Sequence, residues 1–534
     1  MTSAGTITEL LEATASRRPD APALPGLCWA EAASAVRRIA GGLAEQGIGP
    51  GDRLALFLPN RAGMLLLLLA LARRGACGVL LNTRFRVAEL APLLRRAAPC
   101  AIAVARDFAP VDARAVLEAL PADARASLRL VIGVDDAGEG SLCGLPVLPL
   151  ERLAAVTEAP DEASAEAECL TFTTSGTTAG PKLVLHRQRS IAAHARAVAA
   201  RIGTDTPSAA FLAAVPLCGT FGLAAAMAAL AGGAAIHPME RFDAAEADGL
   251  IRQRGISHLV GGDDMLLALA DAAGGHPYSS LAFTGFANFH GQVERLMEAS
   301  SRLRLAARGV YGSSEAQALF ALQDPSGPHA AVGGGVPASA EAGFAIAPDG
   351  ELLLRGPSLF DRYLGDKEAT ARARTADGWF RSGDLAARQP DAAGFDFQTR
   401  AGDALRLGGF LVSPEEIEAF LLAQPGVIAA QVVAVEGRAV AFVIPGTQYD
   451  AEATLAACAA QLARFKVPSR IMTLPSFPTT DGPNGRKVQR APSGACMRPL
   501  KALPSRGAAR AAPCGRWGHQ WSGTRVGSLS VKAP

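Results

Sequence analysis

Short apolar runs alternate with amphipathic stretches from the start of the chain to about residue 312. Ile7–Ala13 and Ala30–Leu43 space their apolar residues as a helix does. Arg53–Leu58 reads as a strand that ends at Pro59-Asn60, and Cys77–Leu81 as another that runs into Asn82. A helical pattern over 87–97 is followed by extended runs at Cys100–Ala105 and Leu128–Val134. The longest unbroken apolar runs are Met64–Ala72 and Leu223–Ala231. A membrane span needs about 20 such residues, so both are expected to be buried helices. Strand and helix patterns that alternate in this way predict βαβ units and parallel sheet. The segment 135–167 is rich in Asp, Glu, Gly, Ala and Pro and is expected to be a surface connection. The alternation resumes after residue 168.

The pattern changes near 398–405, where extended Phe395–Gln398 gives way to Thr399-Arg400-Ala401-Gly402-Asp403. Beyond it lie a helical pattern at Pro414–Ala423, strand patterns near Ala429–Val435 and Ala439–Ile444, and a helical pattern over 451–463. The expected fold is α/β: a large N-terminal domain of parallel-sheet βαβ layers over 1–398, and a small α+β C-terminal domain over 399–490. Residues 491–534 lack periodicity and are expected to form a disordered basic tail.

Of 534 residues, 49% are hydrophobic and 19% charged, enough to bury a large core. Lys and Arg number 52 against 50 Asp and Glu, so no electrostatic case exists for a nucleic-acid partner. The tail holds seven of the basic residues and no acidic ones, leaving 45 against 50 in the body. No charged and apolar leader pattern opens the chain. Nine cysteines without a CxxC pair, and eight histidines without ligand spacing, argue against a disulfide scaffold and a zinc site. A reduced, cytoplasmic protein with no membrane span is expected.

Candidate chemistry begins at Leu170–Lys182, where an apolar run opens into Thr173-Thr174-Ser175-Gly176-Thr177-Thr178-Ala179-Gly180-Pro181-Lys182. Backbone N–H groups and small hydroxyls can wrap phosphate oxygens, and a lysine adds positive charge. Pro181 before the lysine and Leu183 after it exclude a Walker loop. In Gly309-Val310-Tyr311-Gly312-Ser313-Ser314-Glu315, Tyr311 offers a flat face for a base and Glu315 a hard oxygen for Mg²⁺. In Gly378-Trp379-Phe380-Arg381-Ser382-Gly383-Asp384, a turn-borne Asp384 could accept two ribose hydroxyls. Gly408-Gly409-Phe410-Leu411-Val412-Ser413-Pro414 allows close backbone approach and then starts a helix.

These segments, in this order, resemble the adenylate-forming superfamily of acyl-CoA synthetases, peptide-synthetase adenylation domains and firefly-type luciferases. The resemblance runs from about residue 6 to 490. It includes Leu58-Pro59-Asn60, Leu81-Asn82-Thr83-Arg84, Gly350–Gly356 and Pro478–Lys487. It implies that Thr174, Ser175, Gly176, Thr177, Thr178 and Lys182 hold the β- and γ-phosphates of ATP. Ser314 and Glu315 match the α-phosphate and Mg²⁺ positions. Gly285-Phe286-Ala287 and Tyr311 match the adenine pocket, and Asp384 and Arg400 the ribose contacts. Lys487 matches the lysine that bridges carboxylate and α-phosphate in adenylation. Gly402 falls at the family hinge, and Gly408 and Gly409 on a loop that serves the second half-reaction.

Cys218 and Gly219 stand where the family often has an aromatic and a histidine. The implied activity is that of a carboxylic acid–CoA ligase using ATP, Mg²⁺ and coenzyme A. Two alternatives are an enzyme that loads a carrier protein and a non-catalytic relative. Leu, Ala and Phe over 211–230 and 283–289 suggest an apolar acid pocket or ordinary core, and hence a fatty or aryl acid.

Overall fold

The computed structural model describes residues 5–135, 140–174, 181–289, 293–390, 393–400, 405–408, 410–412, 414–477, 479–482 and 485–488. At 399, 400, 411, 415, 479–482 and 485–488 only the backbone is described. The expected loop residues Ser175, Gly176, Thr177 and Thr178, the glycines Gly402 and Gly409, and the tail lie outside these ranges.

The large domain is built on two sheets. A nine-stranded sheet has Arg53–Phe57 in its parallel centre, flanked by Cys77–Leu80 and Ala101–Val104. All four residues of the two flanking strands are buried, as parallel strands covered on both faces require. One edge is antiparallel: Glu168–Thr174 returns as Lys182–Arg187, which pairs with the two-residue strand Arg362–Tyr363. The other edge overturns an expectation. Part of 135–167 is no surface connection, because Gly140–Leu142 and Leu145–Pro149 form a hairpin that extends the sheet. Leu142, Val147, Leu150 and Leu153 are buried there, and the Gly- and Pro-rich composition masks the alternation.

The second sheet has eleven strands. Ala210–Ala213, His258–Gly262, Phe283–Ala287 and Ala307–Ser313 run parallel. The antiparallel partners Gln317–Leu322, Gly334–Pro337, Phe395–Arg400 and Phe380–Arg388 continue it. The parallel βαβ expectation therefore holds up to Ser313 in this sheet and not beyond it.

Helices Ala62–Arg73 and Thr220–Gly232 are apolar on nearly every side and buried accordingly. Helix Ile7–Arg17 starts with a capping box from Thr6 and Glu9, and its Thr14 hydroxyl donates to Leu230 O at 3.0 Å.

A small C-terminal α+β domain follows. Val427–Val435, Arg438–Pro445 and Arg470–Thr473 form its sheet, and Pro414–Leu422 and Ala451–Gln461 are its helices. Its own core includes Leu407, Ile417, Leu421, Val432 and Val443. It meets the large domain at helix Val87–Ala97. There Glu89 Oε1 accepts from Ala463 N at 2.6 Å, and Lys466 Nζ lies 3.7 Å from the same oxygen. Lys466 also reaches Glu416 at 2.6 Å. Glu89 and Lys466 are both buried, so charges from the two domains share one dry contact.

Candidate functional site

The strand Ala307–Ser313 carries Tyr311 to its C-terminal end, where parallel strands of open sheets present ligands. A Cβ on Gly309 would lie 2.0 Å from Val332 O, and one on Gly312 would lie 2.4 Å from Ala318 Cα. Only glycine fits either place. Tyr311 packs edge-on against Phe395 and donates its phenolic hydrogen to Asp384 Oδ2 at 2.7 Å. The base face and the ribose carboxylate named from sequence are therefore in contact. Asp384 lies within strand Phe380–Arg388, not on the expected turn, because this segment pairs with Glu351–Arg355 on one side and Phe395–Arg400 on the other. Asp384 sits opposite Arg400 in the ladder, which places those two backbones side by side.

Ser314 and Glu315 occupy the tight connection to Gln317–Leu322. Two non-glycine residues there, Gln317 and Leu319, have φ of +64° and +65°. Such backbone persists only when neighbours fix it. Here His186 Nε2 donates to Ser314 O at 2.8 Å, His194 Nε2 to Ala318 O at 2.7 Å, and Ala318 N to Thr220 Oγ1 at 2.9 Å. Gln317 Nε2 donates to Ser190 O and Ser358 O. Burial pushes both histidines down to about 4, so each is a neutral donor at physiological pH. Neither histidine, nor Gln317, carries a local sequence signature of this role.

Thr174 and Lys182 face each other across the two strands on either side of residues 175–180. Pro181 O accepts from Arg96 Nη1 at 3.0 Å, which ties the residue before Lys182 to helix Val87–Ala97. The Lys182 ammonium lies 4.6 Å from the centre of the Tyr363 ring, and the Tyr363 hydroxyl donates to Glu315 Oε1 at 2.8 Å. Tyr363 thus joins Lys182 to Glu315. Among the described residues no group of three or more His, Cys, Asp or Glu could cage a metal ion. A lone Glu315 still suits Mg²⁺, which binds through one or two carboxylates plus substrate phosphates and water.

Gly285 pairs with Arg308 of Ala307–Ser313, and Ala287 with Gly262. The Phe286 side chain is buried in the second hydrophobic core. Phe211, Leu223 and Phe283 are core residues too, which removes them as witnesses for an acid pocket. The Pro216–Gly222 segment is instead fixed by Asn60. Its Nδ2 donates to Ala213 O and Val215 O, both at 2.8 Å, and its Oδ1 accepts from Leu217 N at 2.7 Å. Burial raises the Cys218 thiol to about 12, which makes it an inert small residue. In the small domain, Gly408 has φ +54° in the turn between Leu405–Leu407 and Phe410–Val412. Phe410 stacks on Phe465 at 4.2 Å and lies under Arg84 of the large domain at 5.2 Å. Lys487 lies in strand Gly485–Val488 opposite Thr480.

Two family profiles match the chain: that of AMP-binding enzymes over residues 11–364, and that of their C-terminal domain over 416–482. A (methyl-dioxo-octahydroindenyl)propanoyl:CoA ligase of Mycobacterium tuberculosis is 33% identical over 472 residues, covering 84% of this chain and 90% of the relative. Among solved structures, the fold matches a double mutant of o-succinylbenzoate CoA synthetase from Bacillus subtilis bound with its product analogue. There the TM-score is 0.75 at 21% identity, over 90% of this chain and 97% of that one. The complex of the same synthetase with AMP gives 0.62 at 21% identity, over 88% and 95%.

Proposed function

We infer the activity from one premise: the chain belongs to the family of AMP-binding enzymes. It is an AMP-forming acid–thiol ligase of the acyl-CoA synthetase type, with ATP and coenzyme A as co-substrates. The observation that carries this reading is the run Tyr311–Glu315. Four residues apart, it joins a base-facing aromatic bonded to Asp384 and a carboxylate bonded to Tyr363 beside Lys182.

In the first half-reaction the acid's carboxylate oxygen forms a bond to the α-phosphorus, and the bond to the β-phosphate oxygen breaks to release pyrophosphate. Positioning and charge neutralisation do most of the work in such transfers. Asp384 and Arg400 orient the ribose, Tyr311 the base, and Thr174–Lys182 the β- and γ-phosphates. Ser314 lies beside the α-phosphate, and Lys487 bridges it to the carboxylate. Mg²⁺, held by Glu315 and the phosphates, supplies charge neutralisation when bound. In the second half-reaction the CoA sulfur bonds to the acyl carbon and AMP leaves. Lys487 and the Gly408–Gly409 loop serve different halves, so the small domain, beginning at about residue 399, takes up two positions.

The acid is fatty or aryl. The Mycobacterium tuberculosis relative, named for a fused-ring acid, supports this. A panel of fatty, aryl and fused-ring acids, assayed with ATP, Mg²⁺ and CoA, tests the reading. Acid-dependent pyrophosphate and CoA thioester are expected in equal amounts. Pyrophosphate without any thioester, with every acid that is activated, would replace CoA by another acceptor.

A further inference from the structure

Tyr363 has no role in the reaction as described so far, yet it touches both charged groups that would face the phosphates. Its backbone is locked to the strand Lys182–Arg187: Tyr363 pairs with Val184, and Leu364 N donates to Leu183 O at 2.8 Å. Tyr363 N donates to Thr370 Oγ1 at 3.0 Å, and its ring packs on Phe360 at 4.8 Å. The ring therefore has little freedom, and it is buried. A phenol has a single hydrogen to give, and this one goes to Glu315 Oε1. The ring face meanwhile holds the Lys182 ammonium.

We propose that Tyr363 is a positioning residue for adenylation, fixing the metal carboxylate of Glu315 through its hydroxyl and the phosphate-loop lysine Lys182 through its ring. The proposal rests on the ATP-dependent reading above. A carboxylate that accepts a hydrogen bond at one oxygen is held in one orientation, so its other oxygen faces a fixed direction. A lysine against a ring face keeps its charge near the loop at little cost in desolvation. Hydroxyl and ring act on different partners, so they are separable by substitution. Tyr363→Phe removes the hydroxyl's hold on Glu315 and keeps the ring. Tyr363→Leu removes both.

The test is calorimetric titration of ATP into the intact protein without acid, at a series of Mg²⁺ concentrations and in EDTA. Tyr363→Phe should raise the Mg²⁺ concentration needed for half-maximal tightening by roughly tenfold, the scale of one hydrogen bond to a charged group. ATP affinity in EDTA should stay unchanged in that variant. Tyr363→Leu should show the same Mg²⁺ shift and also weaken ATP in EDTA by roughly 3- to 10-fold, since Lys182 loses its support. In a Glu315→Gln background, Tyr363→Phe should add no further Mg²⁺ shift. Failure of the unaltered protein to bind ATP overturns the nucleotide reading itself. Normal ATP binding with an unshifted Mg²⁺ dependence in Tyr363→Phe overturns only the role of Tyr363. So does an equal loss in EDTA and in Mg²⁺ for both variants with a lowered melting temperature, which marks a packing residue.

Discussion

Replacing Glu89 by alanine tests how the small domain is held. Glu89 is almost fully buried at 1% exposure, and its two oxygens do two jobs. Oε2 accepts from Arg86 N at 2.9 Å and caps its own helix, while Oε1 accepts from Ala463 N of the small domain. Removing it leaves a buried N–H unsatisfied, at a cost of about 1–3 kcal/mol. It also takes away one of two carboxylates from Lys466, which keeps Glu416 and so suffers less than an isolated charge. The docked arrangement should lose about 2–4 kcal/mol in all, or roughly 30- to 1,000-fold in its equilibrium against the undocked one. On the two-position reading proposed above, the docked arrangement is taken as the one used for thioester formation, so the loss should fall there. The assay takes each half-reaction alone: pyrophosphate release in a single turnover, and thioester yield from supplied acyl-adenylate and CoA. Thioester formation should fall at least about tenfold, with adenylation within about threefold. Equal losses in both would make Glu89 a simple stabiliser of the fold. No loss in either would mean that the contact is not used in turnover.

Three further outcomes are expected. Lys487→Ala should lower acid-dependent pyrophosphate release by on the order of 10²–10³ and leave thioester formation from supplied acyl-adenylate intact, measured by the same pair of assays. Asp384→Ala should raise the Michaelis constant for ATP more than it lowers turnover, and Tyr311→Phe should do so less, since it keeps the ring; steady-state kinetics with varied ATP separates the two. His186 and His194 sit near 4 in the folded chain and near 6.5 when unfolded, so the unfolded state binds more protons between those values. Their contribution is complete above about pH 6.5 and lost as pH falls toward 4, by roughly 2 kcal/mol each at pH 5. Urea unfolding at pH 7.5 and pH 5 should show the drop, and His194→Gln should reduce it.

What the sequence disclosed was local. Helical periodicity marked Ile7–Arg17 and Val87–Ala97, which each bury a face, and an unbroken apolar run marked Ala62–Arg73, which buries its whole surface. Motifs with glycines marked Tyr311 and Asp384, because a Cβ at Gly309 or Gly312 would collide with a neighbouring strand. What stayed hidden depends on pairing across the chain. Tyr363 lies in an unremarkable Asp361-Arg362-Tyr363-Leu364, and only its ladder with Lys182–Arg187 carries it to Lys182 and Glu315. His186 and His194 read as ordinary helix and strand residues until Ser314 and Ala318 turn their carbonyls toward them. Glu89 and Lys466 belong to different domains, so no spacing rule relates them. The hairpin at 140–149 was missed because its strands are three and five residues long and rich in Gly, Pro and Ser.

The central claim is that an acid is activated as its adenylate, and the fate of the carboxylate oxygens tests it most directly. An acid that the panel shows to be turned over is supplied with both carboxylate oxygens as the heavy isotope, together with unlabelled ATP, Mg²⁺ and CoA. One carboxylate oxygen becomes the bridge to the α-phosphorus and leaves with AMP when sulfur attacks the acyl carbon. Mass spectrometry of the nucleotide should therefore find one heavy oxygen in each AMP formed, and none in pyrophosphate. Heavy oxygen in orthophosphate with ADP as the nucleotide product would mean activation at the γ-phosphate, and would contradict the account.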